Sequence, residues 1–459
     1  MKDITVEDIL KITNGELVIG DKKIICENFS KDTRTIQKGD VYIGIKGEKF
    51  DGNSFWKQAL ENGANVVIVE NVEISKEEKD KYSTKTIIKV ENTLEALYKI
   101  ASFKRSLYNI PVIAITGSVG KTSTKDIIAS VVKTEYKTLK TEGNNNNNIG
   151  LPLTILKLKD HEALVVEMGM NHFGEISLLT KIAKPTIAVI TNIGTSHIGN
   201  LGSRENILKA KLEILEGMKI PKIIVNNDND LLHKWYIKNK DKIEIHTYGV
   251  ENKSEINAKD IVLGEENSTF TAKIENEKIN IEVPVGGNHF VYNALCAVTV
   301  GKFLNISTEN IQKGIKEFEL TKKRMDIRKL ENGVTLINDS YNASYESMKA
   351  SIEYLNDYQA NRRIAVFGDM FELGEYSKEL HEKVGEEVAK SKIDILICSG
   401  ENAKYIIQKV EEKNGKIKTC YLKNNEEILK KIKQETKQGD VILVKASNGM
   451  KFYEICQKL

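Results

Sequence analysis

The 459-residue chain reads as an α/β protein built from three domains. Its length suits about three domains. Apolar runs of strand length alternate with segments of helical period, the pattern of mostly parallel sheets covered on both faces. The chain has only five prolines, too few for long stiff linkers. The expected borders are 1–108 for a mixed α/β unit, 109–321 for a central unit and 322–459 for a third, doubly wound unit.

In the first unit, Val41–Ile45 and Asn65–Val69 are short apolar strands, and a helical stretch runs from Phe55 to Asn62. Asn92 or Thr93 is placed to cap a helix that runs toward Ser106. Beyond Pro111 the pattern becomes strand, glycine loop, helix: Val112–Thr116, Gly117–Lys121, then Thr122 to about Val132, with Ile127, Ile128, Val131 and Val132 at helical spacing. Further buried strands are expected at Ala163–Glu167 and Ile187–Thr191. The alternating polar stretch 255–284 reads as antiparallel hairpins attached to this unit. In the third unit, Val334–Asp339, Ile364–Gly368, Ile393–Ile397 and Val441–Val444 are strands. No Gly-x-Gly-x-x-Gly follows any of them, so a dinucleotide site is not supported.

Composition excludes several classes. Sixty-eight Lys and Arg against 65 Asp and Glu give a net charge of +3, with no clustered basic patch of the kind nucleic acid requires. No segment approaches the roughly 20 apolar residues that span a bilayer. Cys26, Cys296, Cys398, Cys420 and Cys456 are odd in number and form no Cys-x-x-Cys pair, which fits a reduced, cytoplasmic protein. The N-terminus carries no signal-peptide pattern.

The sharpest chemical signal is Thr116-Gly117-Ser118-Val119-Gly120-Lys121-Thr122-Ser123, between a strand and a helix. Glycines let backbone approach phosphate oxygens, and the amide groups and helix N-terminus face the anion. Lys121 would reach the β- and γ-phosphates of a nucleotide, and the Thr122 hydroxyl would ligate Mg²⁺. The ordinary G-x-x-x-x-G-K-[ST] pattern would need glycine where Ile115 stands, so this is a shorter variant. Glu167 ends one buried strand and His197 follows another, at the sheet edge where α/β proteins bind ligands. A carboxylate there suits Mg²⁺; an imidazole suits it less, and a hydrogen-bonded loop histidine is the commoner outcome. Lys211, among Glu205, Lys209 and Glu213, reads by itself as part of a solvated helix face.

The short loop resembles that of the Mur ligases and the related folate polyglutamate ligases, and the likeness extends along nearly the whole chain. Glu142–Leu153 resembles the family's G-N-x-N-N-x-I-G-x-P-L segment, which implies substrate and phosphate-side contacts for Asn144, Asn146 and Asn147. Glu167 and His197 sit on positions that hold Mg²⁺ in the family, and Lys211 on the lysine carried there as an N-carbamate, an anionic ligand. Gly287–Ala294 resembles G-x-H-x-x-x-N-A, which puts Asn293 near the adenine of ATP; Arg324 matches an arginine that reaches the ATP phosphates when the domains close.

The third unit resembles the branch that adds D-alanyl-D-alanine to UDP-N-acetylmuramoyl-tripeptide. Asp339-Ser340-Tyr341-Asn342-Ala343 looks like D-S-Y-N-A, with Asp339 at the ribose and Tyr341 and Asn342 beside it; Asp369, Glu372 and His381 look like the substrate-side G-D-M-x-E-L-G…H. Near the N-terminus, Asp32-Thr33-Arg34 and Asp51 in the segment 47–55 resemble uridine-nucleotide contacts. The likeness implies an N-terminal UDP-substrate domain, a central ATPase domain and a C-terminal Rossmann-like acceptor domain. It implies an amide ligase using ATP and Mg²⁺, with small-molecule substrates only and a monomeric state. Departures are Thr33 for serine, Asn53 for histidine, Ser344-Tyr345 for Asn-Pro and Asn448 for arginine, the last removing a bidentate carboxylate partner. A sister ligase on the same scaffold, or a nucleotide-binding switch that joins nothing, are the rival readings.

Overall fold

The computed structural model describes residues 3–47, 50–274, 277–321 and 324–459. The motif residues Glu48 and Lys49 and the expected start of the third unit at Lys322 lie outside these described residues. Among the described residues, a five-stranded, a nine-stranded and a six-stranded sheet follow one another along the chain, with a two-stranded ribbon at the start.

The first of these sheets runs Glu16–Ile19, Thr86–Lys89, Val66–Val69, Val41–Ile43, Phe29–Ser30, all parallel except the first pair. Helix Thr93–Ser106, capped by Asn92, one of the two candidates Asn92 and Thr93, leaves this sheet and packs on helices Gly150–Leu156 and Glu175–Ala183 of the next unit. Its Arg105 donates to the Ala183 carbonyl at 2.8 Å, and Tyr108 just beyond it donates to the Leu158 carbonyl at 2.9 Å.

The nine-stranded sheet has the order Glu277–Val283, Ser268–Ile274, Ile256–Leu263, Glu244–Gly249, Lys222–Asn226, Ile187–Ile190, Val112–Thr116, Ala163–Glu167, Thr138–Lys140. Strand Val112–Thr116 is wholly buried and central, with Glu167 opposite Ile115 on one side and Ile190 opposite Thr116 on the other. The antiparallel hairpins expected over 255–284 are present, and because Ile256 pairs in parallel with Tyr248 they extend the central sheet itself. Helix Lys121–Lys133 buries Ile127, Ile128, Val131 and Val132.

The six-stranded sheet has the order Asp326–Lys329, Thr335–Asn338, Val441–Lys445, Arg363–Gly368, Ile395–Ser399, Lys418–Tyr421 and is parallel after its first pair. It meets the central unit through the Gly199 N–H to Glu372 carbonyl bond at 3.1 Å and the Tyr376 hydroxyl to Gly202 carbonyl bond at 2.6 Å. Among the described residues no helix is long and apolar enough to cross a membrane.

Candidate active site

The carboxyl ends of the central strands build the site. Gly117 leaves Val112–Thr116 with φ 151°, and a Cβ there would fall 1.9 Å from Thr191 Oγ1, so only glycine lets the loop lie this close to the neighbouring strand end. Gly120, φ 80°, then turns the chain into helix Lys121–Lys133. Residues 191–196 lace the loop in place. Ser118 N–H donates to the Asn192 carbonyl at 3.0 Å and Val119 N–H to Asn192 Oδ1 at 3.0 Å. The Val119 carbonyl accepts from Thr191 Oγ1 at 2.7 Å, and Ser118 Oγ accepts from Gly194 N–H at 2.9 Å. The first N–H groups of the helix, at Lys121 to Ser123, have no intrahelical partner, which makes an anion site of its N-terminus. Lys121 Nζ folds back to donate to the carbonyls of Gly117 at 2.8 Å and Ser118 at 3.3 Å. Desolvation pushes its pKa down, Glu167 opposes that, and Arg324 adds to it.

Glu167 and Thr122 meet beside the loop. Thr122 Oγ1 donates to Glu167 Oε2 at 2.8 Å and Asn146 Nδ2 to Oε1 at 2.8 Å. Asn147 lines the cleft and uses its Oδ1 to accept the N–H of Gly150 at 2.8 Å; Asn144 is exposed and does not line it. His197 lines the cleft with a left-handed backbone, φ 64°, and its Nδ1 lies 2.5 Å from Glu372 Oε2, a contact that holds the Glu372 carboxyl below the usual carboxylate range. Thr122 and Glu167 supply oxygen donors of the kind Mg²⁺ takes. Among the described residues no three His, Cys, Asp or Glu side chains come together as a metal cage.

Lys211 is not on a solvated face. It is 1% exposed, whereas Lys209 on the same helix is exposed. It has no hydrogen bond or ion pair to a described residue, and burial, helped by the nearby Lys121 charge, pushes its pKa well below the ordinary 10.5.

A cavity of about 480 Å³ runs from this loop to the third sheet. Its central-unit wall includes Tyr248, His289, Tyr292 and Asn293; its other wall includes Arg324, Asp339, Tyr341, Asn342, Glu346 and Lys445. Asn293 Oδ1 accepts from Thr124 Oγ1 at 3.0 Å, and the Tyr292 hydroxyl donates to Asp228 at 3.0 Å. The Arg324 guanidinium stacks 3.9 Å from the Tyr341 ring centroid, with its Nε buried and unpartnered. Asp339 Oδ2 accepts from Lys445 Nζ at 2.5 Å and Ser351 Oγ at 2.8 Å. Burial pushes the His289 imidazole down to about 4. A smaller adjoining cavity of about 260 Å³ is lined by Ser196, His197, Phe371, Glu372 and Asn448 among others.

Asp369 and His381 lie behind that cavity and do not line it. Asp369 Oδ1 accepts the N–H groups of Asn402 at 2.9 Å and Ala403 at 2.7 Å. His381 is fully buried; its Nε2 accepts from Met370 N–H at 3.0 Å, and its Nδ1–H faces the Ser377 carbonyl at 2.7 Å. They shape the loop that carries Glu372. Sequence reasoning missed Glu346 and Tyr292, for which no local pattern speaks, and Lys445, whose partner Asp339 is 106 residues away.

The N-terminal candidates form a separate group. Asp32 caps a short turn by accepting Arg34 N–H at 3.0 Å, and the Arg34 side chain, bonded back at 2.9 and 2.6 Å, holds Asp32 down to about 2. Thr33 Oγ1 reaches Gln58 at 3.3 Å. Asp51 Oδ1 accepts from the N–H and side chain of Asn53 at 2.9 and 2.8 Å. Burial, and after it the charges of Asp32 and Asp51, push the Tyr42 phenol up to about 12.

Three family models match the chain: the Mur ligase family catalytic domain over residues 28–105, the Mur ligase middle domain over 115–301, and the Mur ligase glutamate ligase domain over 323–448. A UDP-N-acetylmuramoyl-tripeptide–D-alanyl-D-alanine ligase from Bacillus subtilis is 36% identical over 460 residues, covering 99% of this chain and 98% of that protein. The crystal structure of MurF from Acinetobacter baumannii superposes with a TM-score of 0.89 at 29% identity, covering 100% of this chain and 98% of the other. MurF ligase from Thermotoga maritima in complex with ADP gives 0.81 at 30% identity, covering 94% and 96%. The chain belongs to the Mur ligase family.

Proposed function

We propose that this chain is an ATP-dependent amide ligase that joins D-alanyl-D-alanine to UDP-N-acetylmuramoyl-tripeptide, working as a cytoplasmic monomer in peptidoglycan precursor synthesis. The carrying observation is that one cavity joins the phosphate loop of the central sheet to Asp339 and Tyr341 of the third. The working units are 1–108 for the UDP-substrate, 109–321 for ATP and 322–459 for the acceptor.

The triphosphate lies on the loop Gly117–Ser123, with adenine toward Asn293 and ribose toward Asp339. Lys121 leaves its loop carbonyls for the β- and γ-phosphates, and Arg324 comes from the stack on Tyr341 to the same charge. Thr122, Glu167 and His197 would hold Mg²⁺, which supplies charge neutralisation on the transferring group. The tripeptide's terminal carboxylate oxygen bonds to the γ-phosphorus as the bond to ADP breaks, giving an acyl phosphate. The free amine of D-alanyl-D-alanine then adds to the acyl carbon and loses a proton. The tetrahedral intermediate expels phosphate and leaves the amide. The protein's share is positioning and fixed charge.

Lys211 becomes an N-carbamate in this reading. A neutral amine adds to carbon dioxide and releases a proton, and burial, with the nearby Lys121 charge, shifts Lys211 toward the neutral amine. The carbamate would serve as an anionic ligand for a second Mg²⁺. Asp32, Thr33, Arg34 and Asp51 bind the uridine nucleotide, and Asn146 and Asn147 hold the phosphate side. Glu372, Asn448 and the smaller cavity receive the dipeptide, with Asp369 and His381 supporting their loop.

Phosphate release from ATP and Mg²⁺ tests this, measured with the UDP-tripeptide, D-alanyl-D-alanine, both, or single D-amino acids. Release that requires the nucleotide and the dipeptide together is expected. Release with single amino acids and not the dipeptide would assign a sister activity, and ATP binding without any product would leave a switch.

A further inference from the structure

The segment 191–196 that laces the phosphate loop is gripped on its far side by the third unit. Glu346 is the second residue of helix Tyr345–Asp357, where the N-terminal dipole favours a carboxylate. Its Oε1 accepts Thr195 N–H at 2.8 Å and its Oε2 accepts Thr195 Oγ1–H at 3.1 Å, a two-point contact across 151 residues of chain. The fit is close: a Cβ on Gly194 would fall 2.5 Å from the Glu346 carboxyl carbon. Arg204, fixed by Asp230 and by the Ile193 carbonyl at 2.7 Å, adds a positive field on the same carboxylate. Within the same six residues, Gly194 N–H holds Ser118 Oγ at 2.9 Å, Asn192 holds Val119 N–H at 3.0 Å, and Ser196 Oγ reaches the Ser118 carbonyl at 3.3 Å.

We propose that Glu346 is a positioning residue that couples seating of the acceptor unit to the shape of the phosphate loop. When the unit seats, Glu346 takes both Thr195 donors and fixes the strap from the side opposite Ser118 and Val119. When it swings away, Thr195 N–H loses its acceptor, and the strap keeps its loop-side bonds and the bonds of Arg204 and Asn229 to the Ile193 carbonyl. Phosphoryl transfer is thereby favoured when the amine-binding unit is in place. The substrates named in the test rest on the ligase reading; the coupling itself is measurable without ligation.

The test compares wild type, Glu346→Ala, Glu346→Gln, Thr195→Val and the Glu346→Ala/Thr195→Val double variant. Solution scattering is recorded with a non-hydrolysable ATP analogue, Mg²⁺ and UDP-N-acetylmuramoyl-tripeptide, alongside steady-state kinetics, analogue affinity and thermal melting. Wild type should compact on ligand binding. Glu346→Ala should stay extended and lose roughly tenfold or more in kcat, the scale of charge-assisted bonds. Its affinity for the analogue should fall by less than kcat does, because the loop Gly117–Ser123 stays in place while only the acceptor unit's side of the cavity loosens. Glu346→Gln, keeping one oxygen acceptor, should recover part of both readouts, and the double variant should be no worse than Glu346→Ala. Normal compaction and kcat in Glu346→Ala would overturn the proposal. So would an activity loss with compaction intact and only a lowered melting temperature, or a wild type that does not compact. A wild type that compacts as described but makes no dipeptide product would refute the ligase reading and leave the coupling standing.

Discussion

With the proposed carbamate role, Lys211 sets function against stability within a single side chain. Its amine is buried without a counter-charge among the described residues, and its folded pKa is depressed. Between that folded value and 10.5 the unfolded chain binds more protons than the folded one, so stability rises with pH across the window and is lost as pH falls through it. Replacing the buried amine by an apolar group of similar length removes this penalty. Lys211→Met, compared with carbon-dioxide-stripped wild type in urea unfolding at neutral pH, should be more stable by about 1–4 kcal/mol. It should also make no ligated product, whereas Lys209→Met should change neither quantity. Retained turnover in Lys211→Met would remove Lys211 from the site.

His381 behaves in the opposite sense to an active-site histidine. Burial lowers its pKa from 6.5, against weaker raising effects of the Ser377 carbonyl and Asp369. With a depressed folded pKa, the unfolded chain takes up the proton first, so this contribution is present above 6.5 and fades as pH falls through the folded value. His381→Ala should cost roughly 1–3 kcal/mol by stranding the Met370 N–H and the Ser377 carbonyl. It should flatten the acid limb of the stability profile, read from urea midpoints between about pH 5 and 7.5.

At the scale of elements, the phosphate loop is held by close approach as well as by hydrogen bonds. Gly117→Ala adds a carbon 1.9 Å from Thr191 Oγ1 in a backbone region alanine avoids. It should abolish binding of a fluorescent ATP analogue and lower the melting temperature, with a cost of about 1–3 kcal/mol or more. Normal analogue binding by a folded Gly117→Ala would contradict the loop's role.

This loop was legible because its signals are local: a five-residue apolar strand, a glycine turn and an amphipathic helix all fall within 112–132. The strand Ala163–Glu167 was legible for the same reason, and Asn92 announced its helix as a cap. Pairing partners were not legible. Residues 255–284 alternate as hairpins do, but nothing local says that Ile256 docks in parallel on Tyr248 and makes the hairpins part of the main sheet. Lys211 was misread for a related reason. Helix Arg204–Leu212 is highly charged, and its buried stripe of Ile207, Ala210 and Lys211 is set by what packs on it. The cleft's third-unit wall depends on contacts over more than a hundred residues, Lys445 to Asp339 and Glu346 to Thr195, which no spacing rule reaches.

Across the whole molecule, the nucleotide cavity exists only because two sheets from different parts of the chain share it. The phosphate loop brings the anion site, Asp339 and Tyr341 bring the far wall, and the smaller cavity beside His197 and Glu372 adjoins both. Such a division of labour suits a reaction that must activate a carboxylate, exclude water from the acyl phosphate and admit an amine. The central claim is the transfer of a carboxylate oxygen to phosphate during amide formation. It is tested most directly with UDP-N-acetylmuramoyl-tripeptide carrying ¹⁸O in its terminal carboxylate, together with ATP, Mg²⁺ and D-alanyl-D-alanine, followed by mass spectrometry of both products. The predicted result is a pentapeptide nucleotide whose new amide has lost one carboxylate oxygen, and inorganic phosphate that has gained that ¹⁸O. Unlabelled phosphate, or phosphate release without the pentapeptide, would contradict it.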